Sequence, residues 1–313
     1  MTWRWVRVLL GVAVLAVLVW RLGTGPFVDG LRKIDAGVLV VGLVVGSVTT
    51  TCAAWRWRAV SLSLGVRLPL VTGVTSSYRA QFLNSVLPGG VLGDVHRGVR
   101  HGLDTGDVGR GLRAVLWDRT TGQVVQVALT VAALALLPSP VDSRVPAAGV
   151  LLVAAVLGSA LVAGRRVSRT RAATRVVVGD LRAVGPAWRV VTVASVLAVS
   201  GYVLTLIVAA RSVGVDVSLP RLVPLALLLL LAMSIPFNVA GWGPREGVAA
   251  WAFAAAGIGA STGVSAAVVY GVMSFVGTLP GAVVLVGSWL RSTAGPAPHT
   301  GHTGVPLEGA QHG

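Results

Sequence analysis

Seven uncharged stretches divide the chain: Val8 to Trp20, Ala36 to Trp55, Thr120 to Val141, Val145 to Gly164, Val190 to Ala210, Leu222 to Pro244 and Gly247 to Leu290. Most reach the ~20 apolar residues that a helix needs to cross about 30 Å of hydrocarbon. With 54% hydrophobic and 12% charged residues, the chain has too little polar surface to coat a soluble globule. It reads as an all-α polytopic membrane protein, with about six spanning helices plus two re-entrant or broken helix pairs. No soluble catalytic domain has room to fit.

The last run is long enough for two helices. It divides at the turn-prone GIGASTG (Gly257 to Gly263) into a short helix ending near Ala256 and a full span from about Val264. The first run is short, so a signal peptide competes with a retained first helix; Arg21 directly behind it favours retention. Trp3, Trp5, Trp20, Trp55, Trp57, Trp188 and Trp289 stand at run ends, as an interfacial aromatic belt places them. From Ser292 the chain turns rich in Gly, Pro, Thr and His and cannot offset its ordering entropy. The expected organisation is one transmembrane domain over 1–291, with halves 1–140 and 141–291, and a disordered cytoplasmic tail at 292–313.

Net charge is +15, and among 26 Lys and Arg only Lys33 is lysine. Most of these cations fall between apolar runs. There they orient spans and meet anionic headgroups, so the basic character implies lipid rather than nucleic acid. Loops at Arg56 to Arg67, Arg97 to Arg113 and Arg165 to Arg189 are expected on the cytoplasmic side of a plasma membrane, with both termini. The loops at Arg21 to Asp35, Pro138 to Arg144 and Arg211 to Arg221 are expected outside. This parity requires Leu68 to Gly93 to enter and leave on one face, and Leu222 to Ala256 to be re-entrant from the other. One cysteine, Cys52, excludes an internal disulfide, and the histidines show no metal-ligand spacing; neither metal nor cofactor is expected.

Two segments break the apolar pattern: Tyr78 to Arg97 (YRAQFLNSVLPGGVLGDVHR) and Ser234 to Gly247 (SIPFNVAGWGPREG). Each carries a proline, then glycine, then an acid and a base. The first holds Pro88, Gly89, Gly90, Gly93, Asp94 and Arg97; the second holds Pro236, Gly241, Gly243, Arg245 and Glu246. Proline breaks a helix and glycine permits the turn that follows. Unpaired backbone survives at membrane depth only when buried in protein or lining a wet cavity. Such interruptions at matching places in two halves suggest an inverted repeat with its site between them.

Asp94 reads as an N-cap for a helix carrying Arg97 and Arg100, and Pro244 as a first helical position with Glu246 in the first turn. Both acids could be simple caps. Arg79, however, stands between uncharged stretches and needs a partner or a cavity. Asp118-Arg119 either snorkels to the interface or points inward, where it could pair with Asp94 or Glu246. Gln123 and Gln126 follow it on the same helix.

At these residues the chain resembles the flippase-like family typified by the transmembrane region of lysylphosphatidylglycerol synthases, the multiple peptide resistance factors. The shared features are N-x-x-L-P at Asn84 to Pro88, G-D-x-x-R at Gly93 to Arg97, the acid-Arg pair Asp118-Arg119, and I-P...G-x-G-x-R-E at Ile235 to Glu246. The resemblance runs from Arg4 to about Leu290. Leu92-Gly93-Asp94 replaces a frequent Gly-Gly-Asp, Asp118 a frequent Glu, and no aminoacyl transferase domain follows. It implies the lipid-translocating part without the synthesis.

The leading expectation is therefore a flippase-like transporter of an anionic or aminoacylated phospholipid, or of a polyprenyl-phosphate lipid. Arg79, Asn84, Asp94, Arg97, Asp118, Arg119, Arg245 and Glu246 would contact the headgroup, with the two prolines as hinges. Arginine suits phosphate because its planar fork donates two hydrogen bonds at once. An intramembrane enzyme on lipid-linked phosphate, using Asp94 as base, and a non-catalytic scaffold for envelope synthesis are the alternatives.

Overall fold

The computed structural model describes residues 2–87, 90–138, 171–234 and 242–293. They form the helices α1 (Thr2–Leu22), α2 (Gly25–Arg32), α3 (Ala36–Ser63), α4 (Leu70–Val86), α5 (Leu92–Thr105) and α6 (Val108–Leu136). After residue 170 come α7 (Arg171–Val184), a 3₁₀ turn at Gly185–Ala187, α8 (Trp188–Ser212), α9 (Leu219–Met233), α10 (Pro244–Ala255) and α11 (Ala260–Thr293). Pro88, Gly89, Pro236 and Gly241, the apolar run at Val145 to Gly164 and the tail from 294 lie outside the described residues.

Three segments are long and apolar enough to cross a membrane: Ala36–Ser63, Arg175–Ser212 and Ala260–Leu290. Val12–Leu22 and Gly25–Arg32 make a fourth if that pair, bent by 96°, is one span. About six were expected. The difference arises partly at α6, whose first half carries the charges of the site, and at α9, which is apolar but only 15 residues long. Nearly every residue of α9 from Leu222 to Ala232 is buried. A helix apolar all round is one that protein surrounds.

The center of the bundle is α11, which packs on α2, α3, α4, α8 and α10. Its Val269, Tyr270 and Met273 meet Leu206 of α8 and Leu229 of α9 in the largest apolar cluster. α5 lies against both α4 and α6. At about 21 Å, it is too short to span.

Several expectations change. The loop at Arg21 to Asp35 contains α2, tucked against α11 with Ser265 donating to the Pro26 carbonyl at 2.8 Å. Residues Ser261 to Gly263 belong to α11 rather than to the turn before it. Trp57 is no belt residue: it is fully buried beside Leu68 and Val115. Arg56 is not a loop cation, since α3 continues to Ser63 and its side chain is only 13% exposed.

Candidate functional site

The first break is closed by side chains. Leu87, which precedes proline, is extended (φ −93°, ψ 141°), the conformation a following ring imposes, and α4 ends there. Gly90 then takes a left-handed φ of 62°, and α5 starts at Leu92 with no side-chain cap from Val91. Asn84 bridges the gap: its Oδ1 accepts from the Gly93 amide and its Nδ2 donates to Asp94 Oδ2, both at 2.8 Å. Gly93 is required here because a Cβ would run into the Ala80 carbonyl of α4. Asp94 is thus in the first turn of α5 rather than at its cap, and its carboxylate is free for side-chain partners.

Those partners form a chain of alternating charge across three helices. Arg56 of α3 donates through Nε to Asp118 Oδ1 of α6 at 2.8 Å, and Asp118 Oδ2 accepts from Arg97 of α5 at 2.8 Å. Arg97 Nε lies 3.0 Å from Asp94 Oδ1, an electrostatic contact without a directed N–H. Asp94 Oδ2 also accepts from Arg119. Arg97 is held further by Ser77 of α4 and by the face of Trp57, 4.5 Å beneath it. His101 meets the same indole edge-on at 5.4 Å. Three guanidiniums face two carboxylates, so the group carries an excess positive charge.

Burial is uneven along that chain. Asp118 and Arg97 have side chains 2% and 6% exposed, whereas that of Arg119 is 55% exposed. Arg119 therefore presents donors at the exposed end of the network, whereas Arg97 is enclosed within it.

The second break begins with a cap. Gly243 has a φ of 115°, Pro244 opens α10, and Glu246 Oε2 accepts from the Gly243 amide at 2.7 Å. Glu246 Oε1 accepts from Arg245 Nε at 2.8 Å, and both residues are buried. Arg245 stacks 4.8 Å over Trp242 and 5.8 Å from the Tyr270 ring. Its guanidinium occupies space left open by Gly271. Glu246 pairs with its neighbour and not with Arg119.

Helix α6 carries contacts to both breaks. Arg119 reaches Asp94 at the first, and one turn later Gln123 donates to Ser234, at the start of the second, at 2.6 Å. Tyr202 of α8 stands within electrostatic reach of Thr49, Arg56, Asp118 and Arg119. Arg79 does not join the cluster; its field is felt with that of Arg100 at His96. Partial burial and those two cations hold His96 below the ordinary imidazole range. Gln126 Nε2, buried on α6, has no hydrogen-bond partner among the described residues.

Arg56, Trp57 and Tyr202 are the participants that charge counting along the sequence passes over. Thr49 and Arg56 share one helical face at i, i+7, a spacing that marks Arg56 as inward-facing. Trp57 and Tyr202 give no comparable signal. Among the described residues no group of three His, Cys, Asp or Glu could hold a metal.

The family model for the lysylphosphatidylglycerol synthase TM region matches residues 4–281. The chain belongs to that family. No curated protein matches it significantly. This lysylphosphatidylglycerol synthase TM-region protein is accordingly a multi-pass membrane protein related to lipid modification or translocation. The model's span takes in both breaks and the entire ion chain of the family member described here.

Proposed function

We propose that this protein binds the phosphate-bearing headgroup of an anionic or aminoacylated membrane lipid in a cleft lined by Arg119 and carries it across the bilayer. The observation behind this reading is the buried chain Arg56, Asp118, Arg97, Asp94 and Arg119, ending in one exposed guanidinium. A desolvated guanidinium fork is a strong phosphate ligand. Arg97 and Arg245, which are buried and ion-paired, hold the cleft together instead of touching lipid. Asp94 keeps Arg119 extended into it.

In this reading a single domain, 1–291, has about six spans and two broken pairs arranged as inverted halves, 1–140 and 141–291. It sits in the plasma membrane with cytoplasmic termini and a cytoplasmic tail, 292–313. The breaks at Pro88 and Pro236 are its hinges. Support comes from α6, which contacts the ends of both breaks one turn apart, as a site between two repeats requires.

The test is flipping of a fluorescent phosphatidylglycerol in proteoliposomes, read by dithionite quenching. Arg119→Gln should lower the rate at least tenfold, since a charge-assisted pair contributes on the order of 1.5 to 3 kcal/mol, while abundance and detergent stability stay near wild type. An Arg119→Gln protein that transports normally overturns the assignment.

A further inference from the structure

The α4–α5 hairpin has an outer edge that the cleft does not use. Three contacts set the register of its antiparallel helices: Ser77 with Arg97, Ala80 with Gly93, and Asn84 with Gly93 and Asp94. That register puts Arg79 opposite His96, and Arg100 lies one turn further along α5 from His96. Among the described residues no carboxylate pairs with Arg79, His96 or Arg100. Arg79 Nε is buried and makes no hydrogen bond among the described residues. Burial, and after it the neighbouring cations, disfavour the charged forms of both His96 and Arg79.

Beside this edge α5 exposes apolar side chains: Leu92 is 38%, Val95 49% and Leu103 67% exposed. Their spacing, i, i+3 and i+11, keeps them on one face next to His96 and Arg100. The opposite face holds Asp94, Arg97 and His101, all buried. An apolar strip bordered by cations is how a helix lies at a headgroup boundary, its hydrocarbon side among acyl chains and its charges at phosphate level.

We infer that Arg79, His96 and Arg100 form a second lipid site on the outer face of the hairpin, which holds the phosphate of an anionic phospholipid while its acyl chains lie along Leu92, Val95 and Leu103. The orphaned Arg79 Nε and the uncompensated pair Arg79 and Arg100 call for an anion. The adjoining exposed apolar strip favours a lipid over a free ion. The inference relies on the lipid reading above only for the membrane setting, and adds a docking position outside the Arg119 cleft.

The experiment places the full chain in phosphatidylcholine nanodiscs and follows immobilisation of spin-labelled phosphatidic acid against spin-labelled phosphatidylcholine. Wild type should immobilise phosphatidic acid preferentially. Arg79→Gln and Arg100→Gln should each weaken that preference about fivefold, and together ~25-fold, at about 1 kcal/mol per surface cation. The paired Arg79→Lys, Arg100→Lys variant should keep it, which separates lost charge from lost fold. Inorganic phosphate at matched ionic strength should not compete. Unchanged immobilisation in the double glutamine variant, or displacement by inorganic phosphate, overturns the proposal. Arg119→Gln should retain the preference while losing transport, so each site fails on its own readout.

Discussion

Asp118→Asn tests the buried ion chain most directly. Asp118 is 1% exposed and accepts 2.8 Å bonds from both Arg56 and Arg97, whose side chains are 13% and 6% exposed. The amide keeps the shape and one acceptor but removes the charge that balances two guanidiniums. It also points a donor at one of them. Removing one partner of a buried pair costs about 3 to 5 kcal/mol, mostly from the charge left behind. At a few degrees per kcal/mol, the melting midpoint should fall by roughly 10 °C. Fluorescence-detected size exclusion of heated, detergent-solubilised protein measures this. Adding Arg56→Gln returns the group to its original excess of one positive charge, and should recover at least half of the loss. A midpoint within about 1 °C of wild type for Asp118→Asn alone, or additive loss in the double variant, refutes the buried network and implies that water already screens these groups.

Two further predictions concern the helix starts. Glu246→Gln leaves an acceptor for the Gly243 amide but deprives the buried Arg245 of its counter-ion, so it should lower the melting midpoint by several degrees, on a loss of order 3 kcal/mol. Arg245→Met added to it should restore much of that stability in the same assay. Gly93→Ala drives a Cβ into the Ala80 carbonyl and should cost about 1 to 3 kcal/mol as overpacking. Its signature is faster protease cleavage near the break; an unchanged digestion pattern would mean that the hairpin relaxes freely.

The helical bundle was legible because the bilayer leaves so few choices. Runs such as Ala36 to Trp55 and Val190 to Ala210 become α3 and α8 with only their ends moved. The two breaks were legible for the same reason, since charge, proline and glycine are expensive at depth and stand out against an apolar background. Leu87, in its extended pre-proline conformation, and Pro244, at the first position of α10, are local effects that need no partner.

What local reasoning lacked was pairing. Asp94 has the sequence context of a cap, yet Asn84 closes the helix start and leaves its carboxylate to Arg97 and Arg119. Arg56 has the context of a loop cation and proves to be the far end of the ion chain. Arg79 was grouped with Asp94, and the register of the hairpin turns it outward toward His96 and Arg100 instead.

By itself, then, the sequence determined that this chain folds as membrane helices interrupted at two polar points, because hydrophobic length and backbone restriction are properties of contiguous residues. Only the tertiary structure decided which arginine stays exposed. Four helices, α3, α4, α5 and α6, must converge before Arg97 is enclosed and Arg119 is left open. The energy of a buried charge depends on what stands within a few ångströms of it, and for these residues most such neighbours come from elsewhere in the chain.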